Sequence, residues 1–145
     1  PQPKPPVIVA ARPSNAKPPE SHSPALLARG RALCDDNDRN SQIEDVNALG
    51  GGQFLYQFTC PDSSGAYNFW NVFLIGPAGN AQALRPADFR RPPGLGDKDA
   101  SRSGVEEEWV WDGKAFRLAL ERTMGECRLI PADDWPVTWR AEVRR

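Results

Sequence analysis

Histidine is nearly missing from this chain: His22 is the only one, and it lies in a proline-rich stretch. A nucleophilic triad needs a positioned base, so that form of catalysis is not expected. Ser63-Ser64-Gly65 also lacks the flanking residues of a G-x-S-x-G nucleophile elbow. No Cys-x-x-Cys pair and no Cys/His cluster at metal spacing occurs, which weighs against a structural zinc site with its four N/S ligands. Neither a metal nor a cofactor is expected. No apolar run approaches the roughly 20 residues needed to cross a bilayer; stretches such as Val72 to Ile75 are strand-sized. Excess charge of one sign is lacking too. There are 18 basic and 19 acidic residues, for a net charge of -1, and neither sign gathers in one half. A nucleic-acid surface would want a basic patch to neutralise phosphates, so nucleic acid is not an expected partner.

What is present is a chain of 145 residues, the size of one domain, able to bury roughly two-thirds of its unfolded surface. Fifteen prolines and twelve glycines dilute the core-forming residues to 39% hydrophobic, and part of the chain is expected outside the core. The first residue is proline rather than methionine, so the true start and any signal peptide are expected upstream. Of three cysteines, one pair should form a disulfide in an exported protein. Cys34 and Cys60 are the expected pair, because they flank a single apolar strand and close a short loop.

Residues 1–23 read as a proline-rich linker and residues 24–145 as one mainly β domain. In the linker each proline fixes φ and removes an amide donor. The apolar run Val7 to Ala11 interrupts it, with an edge strand there as the lesser expectation. Ser23-Pro24 before Ala25, Leu26 and Leu27 predicts a helix start, with Ser23 as cap and Pro24 in the first turn. Gly30 is expected to stop that helix, or to weaken it if it runs on to Cys34. Ile43, Val46 and Leu49 have helical spacing of three and read as a loop with one turn. Phe54, Tyr56 and Phe58 alternate with Leu55, Gln57 and Thr59, which predicts a strand with an aromatic face. Phe69 to Ile75 is a second strand and Ala81 to Leu84 a weaker third. Residues 85–104 read as a long loop. Trp109 to Leu118 predicts a hairpin turning at Asp112-Gly113, in which Trp109 and Trp111 share one face, as do Phe116, Leu118 and Leu120. A last strand is expected from Val137 to Val143. The fold class is therefore mainly β: an antiparallel meander of five or six strands with one short N-terminal helix, stapled by a disulfide.

Cys60 with Gly65-Ala66-Tyr67-Asn68, Trp109-Val110-Trp111-Asp112-Gly113, Cys127-Arg128, Asp134-Trp135-Pro136 and Trp139-Arg140-Ala141 follow one another in an order that resembles the C-terminal half of a bacterial family, domain of unknown function 1176. The likeness runs from about Leu33 to the end. It implies a Gram-negative, signal-peptide-bearing protein, periplasmic or secreted, whose N-terminal half lies outside this chain. The family has no assigned activity. Its members usually carry Gly-Asp-Cys before the tryptophan hairpin, where this chain has Gly96-Asp97-Lys98. The resemblance thus implies that Cys127 has lost its partner and is a free thiol.

Several constellations have both a functional and a plain reading. Asp36, Asp38 and Asn40 alternate like calcium ligands, but Ser41 stands where the loop glycine belongs and Asn47 where a bidentate glutamate is required, so a solvated acidic loop is expected. Glu106, Glu107, Glu108, Asp133 and Asp134 would serve glycoside hydrolysis only if one carboxyl were kept protonated by burial; a charge run beside a strand is more often a solvated edge. The Gly65 to Asn68 turn is similar to the Ser-Gly-Ala-Arg-Tyr segment of periplasmic C-type lysozyme inhibitors. Its plain reading makes Tyr67 a core anchor. Trp109, Trp111, Trp135 and Trp139 would stack on sugar rings if exposed, and form core if not.

The expected function is a non-enzymatic envelope module that binds another protein, as an inhibitor of a wall-degrading enzyme working through the Gly65 to Asn68 and Arg85 to Gly104 loops. The alternative is a carbohydrate- or peptidoglycan-binding domain using exposed tryptophans. Candidate binding residues are Tyr67, Asn68, Trp109, Trp111 and Trp135.

Overall fold

A computed structural model describes residues 4–12, 14–19, 23–34, 42–61, 69–95, 104–124 and 131–145. The chain divides into two compact units, a central one of residues 12–87 and a terminal one of residues 1–11 with 88–145. No helix is long and apolar enough to cross a membrane among the described residues.

The central unit is a helix on a four-stranded antiparallel sheet. Helix α1 (Pro24–Leu33) begins as expected: the Ser23 hydroxyl oxygen accepts the Leu26 N–H (3.2 Å), and Pro24 occupies the first turn, where its missing donor costs nothing. It does not end at Gly30. It continues to Leu33 with Cys34 as its C-cap, and Gly30 is buried because a Cβ there would run into the ring of Phe58. The sheet order is β2 (Gln42–Gly50), β3 (Gln53–Pro61), β4 (Phe69–Pro77), β5 (Arg85–Pro86). In β3 the residues Phe54, Tyr56, Phe58 and Cys60 are all buried, as the alternation predicts. They meet Leu26, Leu74 and Leu84 in one core cluster. The Cys34–Cys60 disulfide ties the end of the helix to the end of β3.

Two segments of this unit depart from expectation. Residues 42–50 form β2, not a loop with a helical turn. Ile43 pairs with Phe58 and Asp45 with Gln57, so Glu44 is bulged out; one extra residue turns the strand spacing of two into the spacing of three between Ile43 and Val46. Both side chains still face the core, with Ala48. Ala81 to Leu84 is not a strand: Ala81–Ala83 is a 3-10 turn, because the Asn80 side chain accepts the Ala83 N–H (3.2 Å). Pairing with β4 resumes only at Arg85 and Pro86.

In the terminal unit β8 (Phe116–Met124) is central. It pairs antiparallel with β7 (Gly104–Trp111) on one side; on the other it meets β6 (Phe89–Arg90) in parallel and β9 (Val137–Arg140) antiparallel. The hairpin turn is longer than Asp-Gly alone would make it, since Trp111 pairs with Phe116 and residues 112–115 form the loop. The Asp112 carboxylate is the reason: it accepts the N–H groups of Lys114 and Ala115, each at 2.8 Å. The final strand breaks at the buried Ala141 into β9 and β10 (Glu142–Arg144). Residues Val7–Val9 form β1, which pairs in parallel with β10.

The molecule is thus mainly β with one α-helix among the described residues, as the residue patterns predict. Among the described residues its strands form three sheets rather than a single meander, and two of the pairings are parallel.

Candidate functional site

The terminal unit holds most of the residues the sequence singles out. Along β7 the side chains of Trp111, Trp109 and Glu107 alternate onto one face. Opposite them stand Phe116, Leu118 and Glu121, because Ala119 is bulged and shifts the parity of β8. The expected run of Phe116, Leu118 and Leu120 is therefore cut short, and a carboxylate takes the place of Leu120 on that face. Phe89 stacks on Phe116 (4.9 Å between centroids) and meets Trp109 edge-on (5.3 Å), while Trp111 tilts against Phe116 (5.1 Å). The Trp139 indole N–H donates to the Leu118 carbonyl (3.3 Å). Trp109, Trp111, Trp135 and Trp139 are all half-buried. Trp109, Trp111 and Trp139 are engaged in these contacts and do not stand clear as a flat platform.

Glu121 is fully buried. Arg91 bridges it to Glu107, and the Thr138 hydroxyl donates to its second oxygen (2.6 Å). Burial opposes the Arg91 charge, but the two carboxylates outweigh it and raise its pKa above the ordinary value. Arg122 pairs with Glu106 and lies 3.9 Å from Glu108 and 3.8 Å from Asp133. Each of Glu106, Glu107, Glu108 and Asp133 thus has an arginine beside it. This network resembles an ion-pair lattice that orders a strand face. Sequence reasoning missed Glu121, because nothing in its neighbourhood reveals the bulge that turns it inward.

The second feature is an open strand edge. Glu142 N–H donates to the Pro6 carbonyl and Ala10 N–H to the Arg144 carbonyl, both at 2.8 Å, so the even-numbered main-chain groups of this segment face β10. The main-chain groups of Val7 and Val9 therefore point the other way, and β1 has no second strand beside it among the described residues. The segment ends where Ala11 N–H donates to the Trp111 carbonyl (2.8 Å). Val7 and Val9 are 48% and 65% exposed. Beside them lies a groove of about 480 Å³, lined by the three residues of β1 and by Asp112, Lys114 and Arg117.

The charge in this groove is ordered. Asp112 accepts from Arg117 Nε (2.7 Å) in addition to the two loop N–H groups. Burial would raise its pKa, but the Ala115 N–H, the Arg117 guanidinium and the Lys114 N–H outweigh it and lower the value from 3.8 to about 2. Lys114 is exposed, and its ammonium has no partner among the described residues. A depressed carboxylate pKa stabilises the fold fully above the unfolded value and ceases to do so as pH falls towards the folded one. Asp112→Asn is accordingly expected to cost about 1 kcal/mol at pH 7, with allowance for screening at a partly exposed site. The difference from the unaltered chain should shrink between about pH 4 and pH 2. Urea midpoints of both proteins across that range check it.

Tyr67 and Asn68, the Asp36, Asp38 and Asn40 triplet, His22 and Cys127 lie outside the described residues. Among those described, no group of three His, Cys, Asp or Glu side chains is placed to hold a metal ion.

The model of a family described as a protein of unknown function, DUF1176, matches residues 94–142. This agrees with the resemblance to that family's C-terminal region, over a stretch that contains the tryptophan hairpin, Trp135 and Trp139. The Cys60 to Asn68 part of the likeness falls outside the matched residues. No match was found among curated proteins or among solved structures.

Proposed function

We propose that this chain is a non-enzymatic envelope module that binds another protein by accepting an extended segment of it along the free edge of β1. The observation that carries the proposal is the open main chain of Val7 and Val9, with exposed apolar side chains beside the groove at Lys114. An unpaired strand edge is a template for strand addition: main-chain hydrogen bonds supply affinity and the flanking groove supplies selectivity. The unpartnered Lys114, with Lys4 and Arg12 at the two ends of the segment, favours a partner strand that carries acidic residues. A second copy of β1 fits poorly, since antiparallel self-pairing centred on Ile8 would set Lys4 against Arg12. A wall-degrading enzyme is the first partner to test, on the similarity of the Gly65 to Asn68 turn to a segment of periplasmic lysozyme inhibitors. Sugar binding is less well supported, because the indoles are engaged in packing.

Val9→Pro deletes one edge N–H without touching the bonds to β10, and Lys114→Glu reverses the groove charge. Each is expected to weaken the partner complex about tenfold or more. The measurement is retention of envelope proteins on the immobilised chain and on both variants, with a lysozyme-activity assay and a peptidoglycan-binding assay in parallel. A protein held by the unaltered chain and released by both variants supports strand addition. Retention of the same protein by all three, or binding to peptidoglycan alone, rules it out.

A further inference from the structure

On the strand-addition reading above, on which this rests, we propose that the segment taken up along β1 is the carboxy-terminal end of the partner protein, with its free α-carboxylate held by Lys114.

The usable edge is short and closed at one end. Main-chain groups alternate in direction along a strand, so those of Val7, Val9 and Ala11 all point away from β10. At Ala11 that direction is already taken, because its N–H donates to the Trp111 carbonyl at 2.8 Å. Neighbouring strands lie about 4.8 Å apart. Two main chains joined by a hydrogen bond are such neighbours, and no third strand passes between them. Beyond Trp111 the chain runs on through Asp112 and Lys114, which line the groove together with Val7, Ile8 and Val9. The groove is thus a blind lane between β1 and the hairpin loop, stopped where Ala11 meets Trp111. At its other end the next residue of the same parity is Pro5, which has no N–H to offer. A segment from the middle of a chain would have to climb out of the sheet plane at the stop. A chain terminus simply ends there.

Charge selects which terminus. Asp112 is committed to Arg117 and to the N–H groups of Lys114 and Ala115. On β10, Glu142 and Arg144 are the register partners of Val7 and Val9, and they pair with each other at 2.8 Å. Lys114 is left over, without a partner among the described residues, and Lys4 stands at the proline end of the strand. The lane is therefore net positive, which attracts a carboxylate and repels an ammonium. An edge of three residues offers few main-chain bonds, each of small net value, so a bond to a charged group supplies a large share of the affinity. The exposed side chains of Val7 and Val9 favour apolar neighbours at alternate positions of the incoming end.

The test is selection on the full chain from two libraries of displayed random peptides, one ending in a free carboxylate and the other continued by a fixed Gly-Ser tail. The best binder is then titrated as the free acid and as its carboxamide. Binders are expected from the free-ended library, with the carboxamide about tenfold weaker than the acid. Lys114→Ala should erase that difference, whereas Val9→Pro should weaken acid and carboxamide by the same factor. Binders from the tailed library alone, equal binding of acid and carboxamide to the unaltered chain, or a preference that survives Lys114→Ala would overturn the carboxy-terminal assignment and leave strand addition standing. Binders from neither library, or binding indifferent to Val9→Pro, would overturn both.

Discussion

Replacing Gly30 with alanine is expected to lower the stability of the central unit by about 3 kcal/mol. In an isolated helix the same change would stabilise by roughly 0.5 to 1 kcal/mol, since glycine loses the most backbone freedom on folding. The sign is reversed here by a close approach. A Cβ at Gly30 would fall well inside van der Waals contact with ring carbons Cδ1, Cε1 and Cζ of Phe58. Phe58 has no room to yield: it is wholly buried, and pairs in register with Ile43 on one side and Val72 on the other. Either α1 lifts from the sheet or the ring leaves its position, and both uncover core. Urea denaturation of Gly30→Ala checks the size, and the double variant with Phe58→Leu checks the cause. The leucine should recover part of the loss, so that the two changes together cost less than the sum of their separate costs. A neutral or stabilising Gly30→Ala would mean that α1 does not lie on β3 at this distance.

Removing the Cys34–Cys60 disulfide is expected to cost about 3.5 kcal/mol, from the loop-closure entropy of cysteines 26 residues apart. Both residues are buried, at 1% and 0% exposure, so the double variant Cys34→Ala, Cys60→Ala is a cleaner test than serine, which would bury hydroxyls. The cross-link joins the C-cap of α1 to the last core position of β3, and its loss frees the helix to detach from that end. Urea midpoints measured with and without reductant should differ for the unaltered chain and coincide for the double variant. Equal midpoints for the unaltered chain would show that packing alone seats the helix. A disulfide at this position persists in oxidising compartments, which fits the envelope location proposed above.

Much of the central unit is legible in the residue pattern. Ser23-Pro24 marks a helix start through local chemistry, the alternation of Phe54, Tyr56 and Phe58 reports a half-buried strand, and Cys34 and Cys60 pair across it. The first two signals reside in neighbouring residues, and the third in a short spacing of 26. β2 was hidden because the bulge at Glu44 converts strand spacing into helical spacing, and a bulge is settled by the partner strand. Asn80 could have been read as a turn cap, and the apparent strand that follows it is a 3-10 turn for that reason.

In the terminal unit the tryptophan hairpin was legible, and the matched family covers it. The role of Glu121 was not. Its burial depends on the bulge at Ala119, on Arg91 thirty residues earlier and on Thr138 seventeen later. At Val7 to Ala11 the apolar run among prolines carried an edge strand as the lesser expectation, and the strand is there at Val7–Val9. That the run pairs with Glu142 to Arg144, at the far end of the chain, is a long-range fact.

The sequence by itself determined the strand-rich composition, the helix start and the aromatic face of β3, because turns, caps and alternation act over a few residues, and it marked the disulfide pair through the short loop between Cys34 and Cys60. Only the tertiary structure decided which strand edges stay open and which carboxylate is buried. Those outcomes depend on bulges and on pairings between distant segments, and they are settled when the sheets close rather than by local preference.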